Sequence, residues 1–228
     1  MARRISYSGK GYFEALHHSV LSPVVPFTRH VAALLRRVYL EPPYEIRREW
    51  QALTKEEVRG GSAACRRMLY SPAIDLAVGP FATHQTYVNQ YDQMAKRSAK
   101  MLREMLRGFG RTLQEFGSDF PAPTLNRLCT FNLNSRCFLA IEIERGNSST
   151  KYLIGSALHA SCLGRIGVVL AWHRRRLEQL LRQREYLISM ENLGKNGLKT
   201  DNLIFLDKEE FARIVARAAG RVRCDDNR

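Results

Sequence analysis

Phe138-Leu139-Ala140-Ile141-Glu142-Ile143-Glu144 is a strand-length apolar run with carboxylates at two alternate positions. In an extended chain successive side chains point to opposite faces, so Glu142 and Glu144 share one face and Ile141 and Ile143 the other. A carboxylate on a core strand is costly unless it is paired, protonated or bound to a metal. A second stretch, Ala73-Ile74-Asp75-Leu76-Ala77-Val78-Gly79, repeats the pattern with one acid. Ile74, Leu76 and Val78 take one face and Asp75 the other. If the two strands are neighbours in a sheet, Asp75, Glu142 and Glu144 meet. Such all-oxygen donors suit Mg²⁺, which is hard, near octahedral and keeps several waters, with Mn²⁺ as the alternative ion. A metal held in this way activates water and stabilises charge on a phosphodiester. Lys151, at the start of the next helix, is spaced to reach back toward the carboxylates, where it would orient a water or neutralise the reacting phosphate. Each residue also has an ordinary reading: Glu142 and Glu144 as solvent-facing acids of an edge strand, Asp75 as a cap or ion-pair partner, Lys151 as an exposed helix residue.

Outward from these strands the chain alternates helix and strand. Residues 1–55 read as mainly helical, with an amphipathic stretch over 30–40 that Pro42-Pro43 ends. Thr54-Lys55-Glu56-Glu57 reads as a helix start. From Tyr87 to about Gly108 apolar residues recur at helical spacing, and Lys96, Lys100 and Arg103 lie on the other side. Residues 108–124 read as a loop, and 126–144 as two strands around a turn at 132–135. A helix follows from Lys151 to about Leu163, in which His159 reads as a packing residue. Arg165–Trp172 reads as a strand buried on both faces. A basic helix from His173 to about Met190 carries Arg174, Arg175 and Arg176. A short strand (203–206) and a last helix (208–219) complete the order. This is an α/β arrangement around one mixed sheet. Both basic helices read either as solvated faces or as surfaces for phosphate contacts.

The chain has 228 residues, 36 Lys+Arg against 22 Asp+Glu and a net charge of +14. That excess favours a polyanion as partner, nucleic acid above all. Its apolar content of 45% is that of a globular fold, which argues against disorder. The five cysteines form no CxxC pair, no apolar run approaches the length needed to span a bilayer, and none resembles a signal peptide. The expectation is a cytoplasmic protein with free thiols that does not bind membranes.

Asp75, then Glu142-Ile143-Glu144, then helix, strand and helix resembles the PD-(D/E)XK nuclease superfamily, the restriction-endonuclease-like fold. In that family a helix precedes a strand with the Asp; a second strand ends in (D/E)-X-K, and a helix and a strand follow. Pro72-Ala73-Ile74-Asp75 resembles the first half of the motif, with Pro three residues before the Asp. Glu142-Ile143-Glu144 resembles the second half, with Glu where Lys is usual. Some type II restriction enzymes are similar in carrying Glu-X-Glu, and other members move the Lys to the next helix, as Lys151 would be. The resemblance implies a restriction-endonuclease-like mixed β-sheet core flanked by helices over residues 54–228, with a helix inserted at about 87–108 and a helical N-terminal extension over 1–53. It also implies metal ligands at Asp75 and Glu142, a ligand or general base at Glu144, and an added Glu at 56 or 57. The function expected is Mg²⁺-dependent endonucleolytic hydrolysis of nucleic acid, DNA in preference to RNA. Lys96, Lys100, Arg103, Arg174, Arg175 and Arg176 would hold the backbone, and an isologous homodimer would suit cleavage of both strands. The alternative is a non-catalytic nucleic-acid-binding module with the same fold.

Overall fold

A computed structural model of the chain describes residues 24–40, 44–52, 72–82, 86–146, 149–195 and 200–225. The described strands are β1 (Ile46–Gln51), β2 (Ala73–Val78), β3 (Cys137–Glu144), β4 (Gly164–Ala171) and β5 (Leu203–Asp207), and they form one sheet in that order. β2 runs antiparallel to both of its neighbours, β1 and β3, with Leu76 opposite Ile141. β3, β4 and β5 are parallel, with Glu142 beside Val169 and Ala171 beside Asp207. β3 and β4 are buried along their whole length, as interior strands of a covered sheet must be.

Parallel neighbours need crossovers, supplied here by two helices: α5 (Thr150–Leu163) between β3 and β4, and α6 (Arg174–Asn192) between β4 and β5. Right-handed connections place both on the same side of the sheet. On the other side α1 (Val24–Val38) packs against α7 (Lys208–Asp225), and Phe27 meets Trp172 edge-on at 5.6 Å. The insertion between β2 and β3 holds α2 (Val88–Arg97), α3 (Ala99–Glu115) and α4 (Leu125–Thr130). α3 packs beside β5, with Phe109 and Phe205 rings 5.8 Å apart.

The step from α5 into β4 has no intervening loop, so the last carbonyls of α5 need partners from elsewhere. Asn132 Nδ2 donates to the carbonyls of Ser161, Cys162 and Gly164 at 2.9–3.0 Å. Asn202 Nδ2 donates to Ser161 and Gly164 from the other side. Gly167 lets the helix lie flush on the sheet: a Cβ there would sit 2.9 Å from the Ala160 carbonyl carbon.

Several elements differ from the sequence expectation. Residues 46–51, expected in a helical segment, are a strand. Ile46 and Trp50 are buried while Arg47, Arg48 and Glu49 are exposed, the charged pattern of an edge strand. The segment expected as a helical extension thus contributes both a helix and a strand to the core. The inserted helix breaks at Ser98, whose Oγ donates to the Met94 carbonyl at 2.7 Å, and then runs on to Glu115. Gly108 did not end it, because that glycine is where α7 comes close: a Cβ would meet Glu210 Oε1 at 2.6 Å. Residues 126–130, expected in a strand, belong to the short helix α4, capped by Thr124 Oγ1 accepting from Arg127 N at 3.2 Å. Thr54 to Glu57 lie outside the described residues.

Candidate functional site

The register between β2 and β3 sets Asp75 across from Glu142, since Leu76 already faces Ile141. Backbone pairing stops there. Asp75 Oδ2 instead accepts from the Ile143 backbone N–H at 2.7 Å. The two carboxyl groups are near enough for the charge of Asp75 to act on Glu142. Two acids from segments far apart in the chain are thereby brought together at the point where their strands part.

Burial dominates their electrostatics. The Glu142 side chain is 11% exposed, and His159 Nδ1 lies 2.9 Å from its Oε1. Loss of water pushes the Glu142 carboxyl up to about 7; the His159 contact opposes the rise, and the charges of Asp75 and Glu144 add to it. Burial raises Asp75 too, against the Ile143 hydrogen bond, with the negative charge of Glu49 pushing the same way and Arg145 pulling back. Burial and like charge thus both act against ionising the two acids together. Glu144 is buried on the same strand face and acts on Glu142 through its charge. Lys151 is exposed in the first turn of α5 and makes no ion pair with either glutamate. Among the described residues, no three His, Cys, Asp or Glu side chains converge closely enough to hold an ion by themselves.

Two members of this neighbourhood were not found from the sequence. His159, read as a packing residue, contacts Glu142 through its ring. The available signal was a polar side chain near Leu153, Ala157 and Ala160 on a helix that crosses the Glu142 face. Glu49 stands across from Asp75, between the pairs Arg48–Leu76 and Trp50–Ile74, with a left-handed φ of 48°. A non-glycine residue there costs on the order of 1–3 kcal/mol. It was hidden because β1 itself was not recognised. Glu56 and Glu57, the acids considered for this role, lie outside the described residues.

The basic residues divide. Lys96, Lys100 and Arg103 are exposed on α2 and α3. Arg174 and Arg175 are exposed at the start of α6, Arg174 paired with Glu115 at 2.9 Å and stacked on Phe116. Arg176 corrects the expectation of an open basic turn. It is 2% exposed, and its guanidinium donates to the Gly146 carbonyl and to Gln179, fixing the chain just after Glu144. No helix among the described residues is long and apolar enough to cross a membrane. Comparison with protein-family models, curated proteins and solved structures found no match to this chain.

Proposed function

We propose that this chain is a metal-dependent nuclease of the restriction-endonuclease-like class, hydrolysing phosphodiester bonds in nucleic acid, with DNA the first substrate to test. The observation that carries the reading is the register that sets Asp75 across from Glu142 where β2–β3 pairing ends. Apart from β1 and the helices inserted between β2 and β3, the order of α1, β2 with the Asp, antiparallel β3 with the Glu-X-Glu, a crossover helix and a parallel strand is the one described for that family. The net charge of +14 supplies attraction for a polyanion.

The donor set fits a divalent cation. Mg²⁺ keeps most of its waters and is commonly held by one or two carboxylates together with substrate phosphate, rather than by a full protein cage. Asp75 and Glu142 would be those two. A half-buried acid pair that gives up part of its charge for want of a counterion is a site in which a cation relieves repulsion. Bound there, Mg²⁺ would lower the pKa of a water and offset charge on the phosphate. His159 holds one oxygen of Glu142 and so limits how its carboxyl can turn. Glu144 adds negative charge behind the pair.

A second reading, a non-catalytic nucleic-acid-binding module, is favoured by one observation: the exposed Lys151 engages neither glutamate. One screen separates the two. Plasmid and oligonucleotides are incubated with Mg²⁺ or Mn²⁺ and either the wild-type protein or Asp75→Ala. The nuclease reading expects metal-dependent cleavage that Asp75→Ala reduces at least a hundredfold while binding persists. Salt-sensitive binding with no cleavage under either metal selects the module.

A further inference from the structure

We infer that α3 and α7 together form a docking face for the backbone of duplex nucleic acid. This rests on the polyanion-binding part of the proposed function but not on cleavage. Lys100, Arg103, Arg107 and Arg111 recur every three or four residues on α3, so they line one exposed stripe. The stripe spans about 16 Å at 1.5 Å per residue, roughly five base-pair steps along one strand. Arg213, Arg217 and Arg221 form a second row on α7. Glu104 of α3 pairs with Arg217 and Arg221 at 3.4 and 2.6 Å, and Arg111 pairs with Glu210 at 2.6 Å. Ascending positions on one helix meet descending ones on the other, so the two helices are antiparallel and their basic rows run side by side.

Three observations set this face apart from an ordinary solvated surface. First, its acids are already committed: Glu104 is held below the usual carboxylate range by Arg221, Arg217 and Arg107 against the cost of burial, and Glu210 holds Arg111. Second, Lys100, Arg103 and Arg213 have no carboxylate partner among the described residues, and Arg111 and Arg217 keep 64% and 59% of their side chains exposed despite their pairs. Third, the large exposed apolar side chains among the described residues are Val25, Leu40, Leu133, Tyr152, Tyr186 and Leu193, and none is on α3 or α7. Binding in a lipid interface needs apolar anchors beside the charge, whereas phosphate backbone needs only the charge. Two parallel rows of cations suit the two phosphate strands of a duplex, where a single strand offers only one row. The face is tied to the basic start of α6, since Arg174 there pairs with Glu115 at the end of α3.

The test is binding of a 20-base-pair duplex, a single strand of equal length and phosphatidylserine vesicles, in EDTA across 50–300 mM salt. The triple variant Lys100→Gln, Arg103→Gln, Arg213→Gln is compared with Arg48→Gln, Arg182→Gln, Lys195→Gln, which removes equal charge elsewhere. All six side chains are exposed. The expected result is at least a thirtyfold loss of duplex affinity in the first variant, with the log–log salt slope shallower by about two to three, and less than a threefold loss in the second. Equal losses in both variants would overturn the proposal, as would single-strand binding as tight as duplex binding, or vesicle binding as the only interaction the first variant loses. Because EDTA excludes metal-dependent chemistry, failure here is separate from failure of the cleavage screen.

Discussion

Glu142 is a carboxyl that folding makes harder to ionise, and the sign of that effect fixes a pH dependence. Below about pH 4.5 it carries its proton in both the folded and the unfolded chain. Between 4.5 and about 7 the folded chain keeps the proton and the unfolded chain releases it, so stability falls as pH rises through this window. Above 7 the whole penalty is present, on the order of 3 kcal/mol. The groups facing Glu142 are Asp75, Glu144 and His159. Glu142→Gln keeps the shape and a hydrogen-bonding group while removing the charge. We expect its melting temperature to exceed that of the wild type at pH 8 and to match it near pH 4.5, in thermal scans without divalent metal. A difference that does not change with pH would place the effect in packing. At this scale the sequence exposed Asp75 and Glu142, because acids on apolar strands violate a local rule. His159 and Glu49 violate no local rule. Their places depend on a helix crossing a sheet and on one residue of an edge strand turning left-handed, which only the assembled fold specifies.

At the scale of elements, glycine marks where backbones must approach. Gly167 on β4 lies under α5, where a Cβ would press on Leu203 Cδ2 at 2.5 Å and also on the backbone of Ala160 at 2.9 Å, which cannot turn aside as a side chain can. Gly167→Val should therefore destabilise by about 3 kcal/mol or more, read as a lower urea midpoint with an unchanged slope. Gly155, in the same helix, has nothing within 4 Å of a built Cβ. Gly155→Ala should stabilise by about 0.5–1 kcal/mol. If the two substitutions moved the midpoint alike, close approach would not be what Gly167 serves. The same physics explains which elements could be read in advance. β3 and β4 are legible as strand-length apolar runs, and α5 and α6 as the helices that follow them. α3 was cut short at Gly108 because helix propensity is local while the contact with Glu210 is not. β1 is not legible because this edge strand carries charge on three of its six residues, and only Ile46 and Trp50 face the core.

At the scale of the whole molecule, the order of elements ties the beginning of the described chain to its end. β1 pairs with β2, the strand that carries Asp75, while α1 packs on α7, the last helix. A boundary after residue 53, as the sequence suggests, would separate these partners. Phe27, Val31, Leu35, Ile46 and Trp50 are each buried, to 8% exposure or less. Burial of one such side chain contributes about 1.5–3 kcal/mol. Their combined loss is as large as the ~5–15 kcal/mol net stability of an ordinary domain. Removal would also leave β2 as a bare edge, with Ile74, Leu76 and Val78 stripped of neighbours and its backbone open to pairing with other chains. We therefore expect a fragment of residues 54–228 to aggregate, or to lack near-UV circular dichroism and a cooperative urea transition, while the full chain unfolds with coincident transitions by fluorescence and circular dichroism. A soluble 54–228 fragment with a single sharp transition would show that α1 and β1 are additions to a core that stands without them. In that outcome the carboxylate pair would keep its β2–β3 frame and lose only the charge of Glu49 across from Asp75, so the fragment would also isolate what that charge does to metal affinity.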